Sequence, residues 1–280
     1  MRYKRGAVMS SDLLFWLALV LKMAVTAGFV VAAAMITERA GPIIGALVAT
    51  LPIAAGPAYF FLALDHDAPF IAQSAIGSIA AHSATALFSV AYVLLAQRGG
   101  MTVSIVGAVA VWFVGALLLR AVPWTFMSAA AVNLAIFAAA IAATRGFRHI
   151  PMPPVRREWF DVPLRAIMVA ALVAAVVGLS GRVGPILTGA LAVYPIVMTG
   201  LMIIFHPRAG GPATATLITN TLWGLVGFSA CLFTVHLATV PLGSAAGLLL
   251  ALAVSVVWNL MVWSLRRRRA QAVQSSTRLK

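Results

Sequence analysis

Acidic side chains are the scarcest chemical class in this chain: six carboxylates stand against twenty lysines and arginines in 280 residues. All six, Asp12, Glu38, Asp65, Asp67, Glu158 and Asp161, fall at or near the ends of apolar stretches. Carriers of cations and protons usually hold a carboxylate within a span, so export of sodium or of organic cations is disfavoured. There is one cysteine, Cys231, inside an apolar stretch, which excludes a disulfide framework and a thiolate metal site within one chain. No GxSxG, HExxH, phosphate-loop or dinucleotide motif occurs. Asp65-His66-Asp67 is read as a turn in preference to a metal fragment, since no further ligands accompany it. The expectation is therefore a protein that is not an enzyme, with no catalytic residues, no metal and no cofactor.

Charge of either sign is also rare, at 9% of residues against about a quarter in soluble domains, while hydrophobic residues make up 62% and mean hydropathy is +1.03. That much apolar surface needs a bilayer as its solvent. Nine apolar stretches are expected as transmembrane helices: 13–36, 41–64, 70–96, 101–119, 124–143, 162–180, 184–205, 213–240 and 242–265. They are continuously apolar and rich in Ala, Leu and Val, without the alternation of a barrel strand. The basic start of the chain is read as part of the first membrane segment and not as a removed signal. Connections are short except at 144–161, where Pro151, Pro153, Pro154 and four arginines mark a linker.

The halves on either side of that linker carry one pattern. GPIIGALVATLPI (41–53) aligns with GPILTGALAVYPI (184–196) at an offset of 143 with six identities in thirteen. The same offset sets Trp16 on Trp159, Lys22 on Arg165, Arg39 on Arg182 and Pro69 on Pro212. Matched prolines, glycines and basic residues are hard to obtain from composition alone, so a duplication is read. Further on, VPW (122–124) matches VPL (240–242) at an offset of only 118, so the first half holds one helix more, roughly 101–119. The expected organisation is a first repeat with an extra helix (1–143), the linker (144–161), a second repeat (162–265) and a basic tail (266–280). Five helices in one half and four in the other turn the second copy upside down, as in many secondary transporters.

Basic residues orient the chain. With the start of the chain outside, eleven lie inside: Arg39, Arg98, the linker residues Arg145, Arg148, Arg156 and Arg157, Arg208, and Arg266 to Arg269. Arg2, Lys4, Arg5, Arg120 and Arg182 are then outside. An even helix count with both ends inside, and parallel repeats, stays open at this stage. The basic tail reads as an anchor against anionic lipid and not as a nucleic-acid site.

Candidate site residues follow from the repeat. Pro52 and Pro195 fall in the middle of equivalent stretches, with Pro42 and Pro185 at their starts and Pro57 beyond. With Gly45, Gly56, Gly189 and Gly200 they predict kinked or broken helices whose freed backbone groups face protein, water or solute. A plain packing kink is the competing reading. Lys22 and Arg165 are equivalent cations that either bracket an anionic group or snorkel to the interface. His82 and His236 are the candidates for a proton relay, with a core histidine equally compatible. Among the buried polar residues Gln73, Ser74, Ser78, Ser83, Asn133, Thr219, Asn220, Thr221 and Asn259, Asn220 is the chosen pocket donor. Tyr59 and Tyr194 supply aromatic walls near the prolines.

Each half resembles the GlpM-like family, small four-helix bacterial inner-membrane proteins named for glycerol metabolism. The likeness rests on a basic residue opening the first helix (LVLKMAV 19–25, VPLRAIM 162–168) and on the Gly- and Pro-bearing second helix (43–53, 186–196). A polar-dotted third helix and a proline before the fourth complete it; the extra helix departs from the family pattern. The resemblance implies a tandem fusion in the bacterial inner membrane and carries no site residues. The function expected is a small secondary transporter or channel for a neutral or anionic solute. The alternatives are an accessory protein of envelope lipid or polysaccharide assembly and, more weakly, a lipid-modifying enzyme. Lipid is the expected partner, with homodimerisation open and nucleic acid excluded.

Overall fold

The computed structural model describes residues 3–39, 52–148 and 150–278 except 152, 154 and 157, and for 3–12, 36–39, 120, 266 and 268–278 the backbone alone. Arg2, Pro42, Gly45, most of the first copy of the Gly-Pro motif, Pro154, Arg157 and Lys280 lie outside the described residues.

The described chain is all α-helical. The helices are α1 (Tyr3–Arg39), α2 (Ala55–Asp65), α3 (Ala68–Leu95), α4 (Met101–Arg120), α5 (Phe126–Ala143), α6 (Asp161–Ala192), α7 (Ile196–Ala209), α8 (Gly211–Leu242) and α9 (Ser244–Arg278). Seven segments among the described residues are long and apolar enough to cross a membrane, against the nine stretches expected. Part of the difference is local: 162–180 and 184–205 fall in one 49-residue segment, Asp161–Ala209. Starts are fixed by local chemistry. Asp67 caps α3 by accepting from Phe70 N at 3.0 Å, and Thr125 and Ser128 form a reciprocal capping box on α5.

Gly184 breaks α6, with φ +75° and ψ 172° inside an otherwise helical run. A side chain there would be strained, and the following Pro185 has no N–H to continue the ladder. A second break separates α6 from α7. Pro195 precedes Ile196 with φ −75° and ψ 51°, and the Ile196 amide bonds Tyr194 O at 2.7 Å instead of a carbonyl one turn back. Pro52 stands ahead of α2, which begins three residues later, and its carbonyl accepts from Gly56 N at 2.7 Å. Both prolines thus stand at the starts of short helices and not within longer ones.

Side-chain contacts fix the packing register. Ala72 O accepts from His236 Nδ1 at 2.9 Å, Leu225 O from His82 Nε2 at 3.1 Å, and Gly211 abuts the Ala96 carbonyl. Rising numbers on α3 meet falling numbers on α8, so the two run antiparallel. The same logic makes α9 antiparallel to α8, through Trp258 Nε1 to Trp223 O at 2.9 Å and Gly247 against Thr239. It makes α4 antiparallel to α3, through Gly107 on Leu95 and Gly115 on Ala84.

Two contacts mark the ends of the first arm of α6. At its start Asp161 takes both guanidinium nitrogens of Arg208 at 2.8 Å, so the end of α7 returns to where α6 began. At its far end Ser180 Oγ meets His66 Nε2 at 2.8 Å, just past α2. Nineteen residues separate Asp161 from Ser180, about 28 Å of helix and close to the thickness of the hydrocarbon layer. The ends of α2 and α7 therefore lie on opposite faces. On the Asp161 face also lie the linker, whose Phe147 O accepts from Thr216 Oγ1 at 2.8 Å, and the start of α8.

The closest packing is between α3 and the second arm of α6. Added Cβ atoms at Gly77 and Gly189 would overlap the carbonyls of Ile186 and Ser74 respectively, so only glycine permits the approach. Ser78 Oγ uses the proximity, donating to Gly189 O at 2.7 Å and receiving the Tyr59 hydroxyl at 2.7 Å. Outward-facing apolar side chains such as Leu14 and Trp16 of α1, Leu118 of α4 and Leu249 of α9 are 60–68% exposed. That is the surface of a helical bundle solvated by lipid.

Candidate functional site

A cavity of about 400 Å³ lies where the broken segments meet α3, α8 and α9. Its wall includes Pro52 to Ala55 ahead of and at the start of α2, the chain from Ala192 to Met198 around the second break, and His82 and Thr85 of α3. Asn220, Thr221, Gly224, Leu225 and Phe228 of α8 and Asn259 and Trp263 of α9 complete it. His82 is the fifteenth of the 28 residues of α3, so the cavity reaches the mid-depth of the bundle. Among the described residues no Asp, Glu, Lys or Arg lines it, and the wall is mostly apolar with a few polar groups, the usual make-up of a small-molecule pocket.

Of the sequence candidates, Pro52, His82, Tyr194, Pro195 and Asn220 converge here. Tyr59 is one layer behind, 3% exposed and bonded to Ser78. Lys22 and Arg165 are elsewhere and far apart. Lys22 Nζ bonds Asp65 at 2.5 and 2.8 Å, at the level of His66 and Ser180. Arg165 sits fifteen residues before Ser180 on α6, about 22 Å along the axis. Its aliphatic stem packs 3.8 Å from the place where a Gly200 Cβ would stand.

The polar wall is held by neighbours. Thr85 Oγ1 donates to Val193 O at 3.4 Å, a carbonyl without its helical partner because the chain turns at Pro195, and accepts from Trp112 Nε1 at 3.2 Å. Trp112 also stands edge-on to Tyr194 with centroids 4.9 Å apart. α4 thus props the second break. Asn220 Nδ2 donates to Thr216 O at 3.0 Å, and Thr221 Oγ1 to Ile218 O at 2.7 Å. His82 is 1% exposed, lies between the rings of Phe137 and Phe228, and donates from Nε2 to Leu225 O. Its Nδ1 has no partner. His236 is not a lining residue; it stacks on Phe126 and bonds Ala72.

Sequence reasoning missed Thr85 and Trp112. At the offset of 143 Thr85 falls on Phe228, and Trp112 lies in 101–119, a stretch to which the sequence comparison gives no counterpart, so neither stands out in that comparison. The Asp65-His66-Asp67 loop is occupied by structural work: Asp65 pairs with Lys22, His66 with Ser180, and Asp67 caps α3.

The fold and its lipid-facing surface define a polytopic, all-α membrane protein. Searches with the chain find no match among family models, curated proteins or solved structures.

Proposed function

We propose that the chain is a small secondary transporter of the bacterial inner membrane, made of two GlpM-like units in inverted orientation. The observation that carries this reading is the crossing of α3 and α8. These helices are equivalent by the 143-residue offset, they run antiparallel, and they meet where His82 bonds Leu225, its own equivalent. Copies related by a two-fold axis in the membrane plane bring a residue onto its counterpart at that axis, and transporters of this design hold solute there. The cavity adjoins this point and is walled from both halves.

The ends of α2 and α7 support the inversion. Asp65 and Arg208 are equivalent positions, and each closes an ion pair, with Lys22 and with Asp161, at opposite ends of the first arm of α6. Arg98, Arg145, Arg148, Arg156, Arg208 and Arg267 fall on the Asp161 face, which we take as cytoplasmic, with the end of α9 there and the start of α1 outside. The absence of carboxylates from the described wall favours a neutral or anionic solute.

The test is a solute-uptake screen in proteoliposomes comparing wild type with Gly224→Phe. A Cβ at Gly224 meets Asn259 Oδ1 at 3.5 Å, ordinary contact, and Gly224 lines the cavity, so a larger side chain there is expected to take up part of its volume. Uptake should fall at least about tenfold, a cost of roughly 1.4 kcal/mol or more in solute binding. Uptake untouched by that substitution would remove the site.

A further inference from the structure

The cavity lies in one half of the bundle. Tyr59, one turn into α2, bonds Ser78, one turn before His82 on α3, so the start of α2 is level with His82. Val193, which bonds Thr85, is at that level too, and the Phe228 ring stands 5.0 Å from the His82 ring. From there the described lining continues towards the Asp161 face: along α7 to Leu201, along α8 to Asn220, and along α9 to Trp263, beyond the contact of Trp258 with Trp223. The half towards Ser180 is filled instead. Leu62, Ile71, Ala75, Val173, Val176 and Val235 belong to one core there and are 0–3% exposed. α2 is wedged into this core by Tyr59, Phe61 and Leu62, all buried, and so stands between the cavity and the Ser180 face.

α2 is also built as a separate piece. Its 11 residues are set off by residues 52–54 at one end and, at the other, by His66 in extended backbone (φ −135°, ψ 159°) before Asp67 caps α3. A short helix between two such joints moves as one body when backbone angles change at its ends. Its outer end is held by side chains of other helices. Lys22 of α1 bonds both carboxylate oxygens of Asp65, at 2.8 and 2.5 Å, and stands 5.8 Å from the centre of the Phe61 ring. His66 meets Ser180 of α6. The Lys22 and Asp65 side chains are 18% and 36% exposed, so water can replace either partner and the hold is releasable. α7 covers the positions 143 residues after those of α2, and it walls the half that holds the cavity.

Building on the transporter reading above, we propose that α2 is the gate between this cavity and the Ser180 face, and that the Lys22–Asp65 pair is its latch. In the present conformation the gate is shut and the cavity belongs to the Asp161 side. Opening swings α2 about its two joints, separates Tyr59 from Ser78 and gives both hydroxyls to water. The glycine contact of α3 with the second arm of α6, backbone against backbone, keeps its place as the frame. Solute then reaches the cavity from the Ser180 side.

The experiment reads access to the cavity from each face of the full chain with a small impermeant methanethiosulfonate. The parent carries Cys231→Ser and, in the cavity wall, Thr221→Cys. Right-side-out and inside-out vesicles present the two faces, which cysteines at Val122 and Trp159 identify independently. In the parent, reaction from the Ser180 face should be at least about tenfold slower than from the Asp161 face, as for a minor open state. Asp65→Asn should raise the Ser180-face rate about two- to fivefold, the range that a solvent-exposed ion pair supplies, and leave the Asp161-face rate unchanged. The exchange Lys22→Asp with Asp65→Lys should return the rate towards that of the parent, which a mere loosening of packing would not do. If Asp65→Asn does not fold, Lys22→Gln breaks the same pair from α1. Equal rates from both faces in the parent, or no reaction from either, overturn the proposal. So does a Ser180-face rate that the broken pair leaves unmoved or that the exchange does not lower. The transporter reading survives each of these results and falls only when the uptake screen with Gly224→Phe also fails.

Discussion

His82 donates from Nε2 to the carbonyl oxygen of Leu225 at 3.1 Å, and Leu225 is the residue 143 positions after His82. The offset read from a Gly-Pro motif elsewhere in the chain therefore reappears as a hydrogen bond between the middles of two antiparallel helices. The bond also orients the imidazole, leaving the other ring nitrogen of a cavity residue without a partner.

Topology is open to direct measurement. In a Cys231→Ser background, cysteines replacing Val122, between α4 and α5, and Trp159, in the linker, are both at exposed positions. On intact cells an impermeant maleimide should label position 122 and not 159, with the reverse in inside-out vesicles. Equal labelling of both from one side would refute the orientation proposed above.

The glycine contact between α3 and α6 should be intolerant. Gly189→Val or Gly77→Val forces two backbones apart and should cost about 1–3 kcal/mol, read as a lower unfolding midpoint in detergent. Gly224→Ala, whose Cβ has room, should be neutral in the same assay.

Ser78 joins three elements by accepting from Tyr59 and donating to Gly189 O. Ser78→Ala leaves a buried phenol and a buried carbonyl unpaired and should cost about 1–3 kcal/mol. Tyr59→Phe removes one donor and leaves Ser78 bonded to Gly189, so its cost should be smaller, about 0.5–1.5 kcal/mol. Equal losses in a denaturation series would show that the network is not organised around Ser78.

The bidentate pair of Arg208 with Asp161 closes the out-and-back path of α6 and α7. Asp161→Asn should lower the thermal midpoint, and the double exchange Asp161→Arg with Arg208→Asp should recover part of the loss. Because the pair sits at an interface, the difference should shrink at 1 M salt, where the Debye length is about 3 Å. Salt-independent loss would assign the effect to packing.

Much of the plan is legible along the chain. Continuous apolar runs specify helices in lipid, because no other open structure satisfies its own backbone there. Pro185 and Pro195 mark the two breaks, which the helix makes at Gly184 and ahead of Ile196, and an offset of 143 relates the motifs of the two halves. The Pro52, His82, Tyr194, Pro195 and Asn220 group was accessible in the same way, because disrupted backbone and buried polar atoms are rare in a membrane span and stand out. Lys22 and Arg165 were not. Their match at the offset of 143 suggests nearness, whereas Lys22 lies at the level of Ser180 and Arg165 fifteen residues before it on α6.

What the sequence alone determined is the solvent, the helical class and the points of weakness in its helices. Each follows from the composition of one segment or the comparison of two. Tertiary structure alone decided which helix lies against which, that α4 supports the second break through Trp112, and that the free nitrogen of His82 belongs to a cavity residue. The reason is physical. Between helices in lipid there is no hydrophobic gradient to impose a period on the sequence, so lateral contacts are chosen by small residues and single hydrogen bonds. Gly77 against Ile186 and Thr85 under Val193 acquire meaning only when the partner arrives.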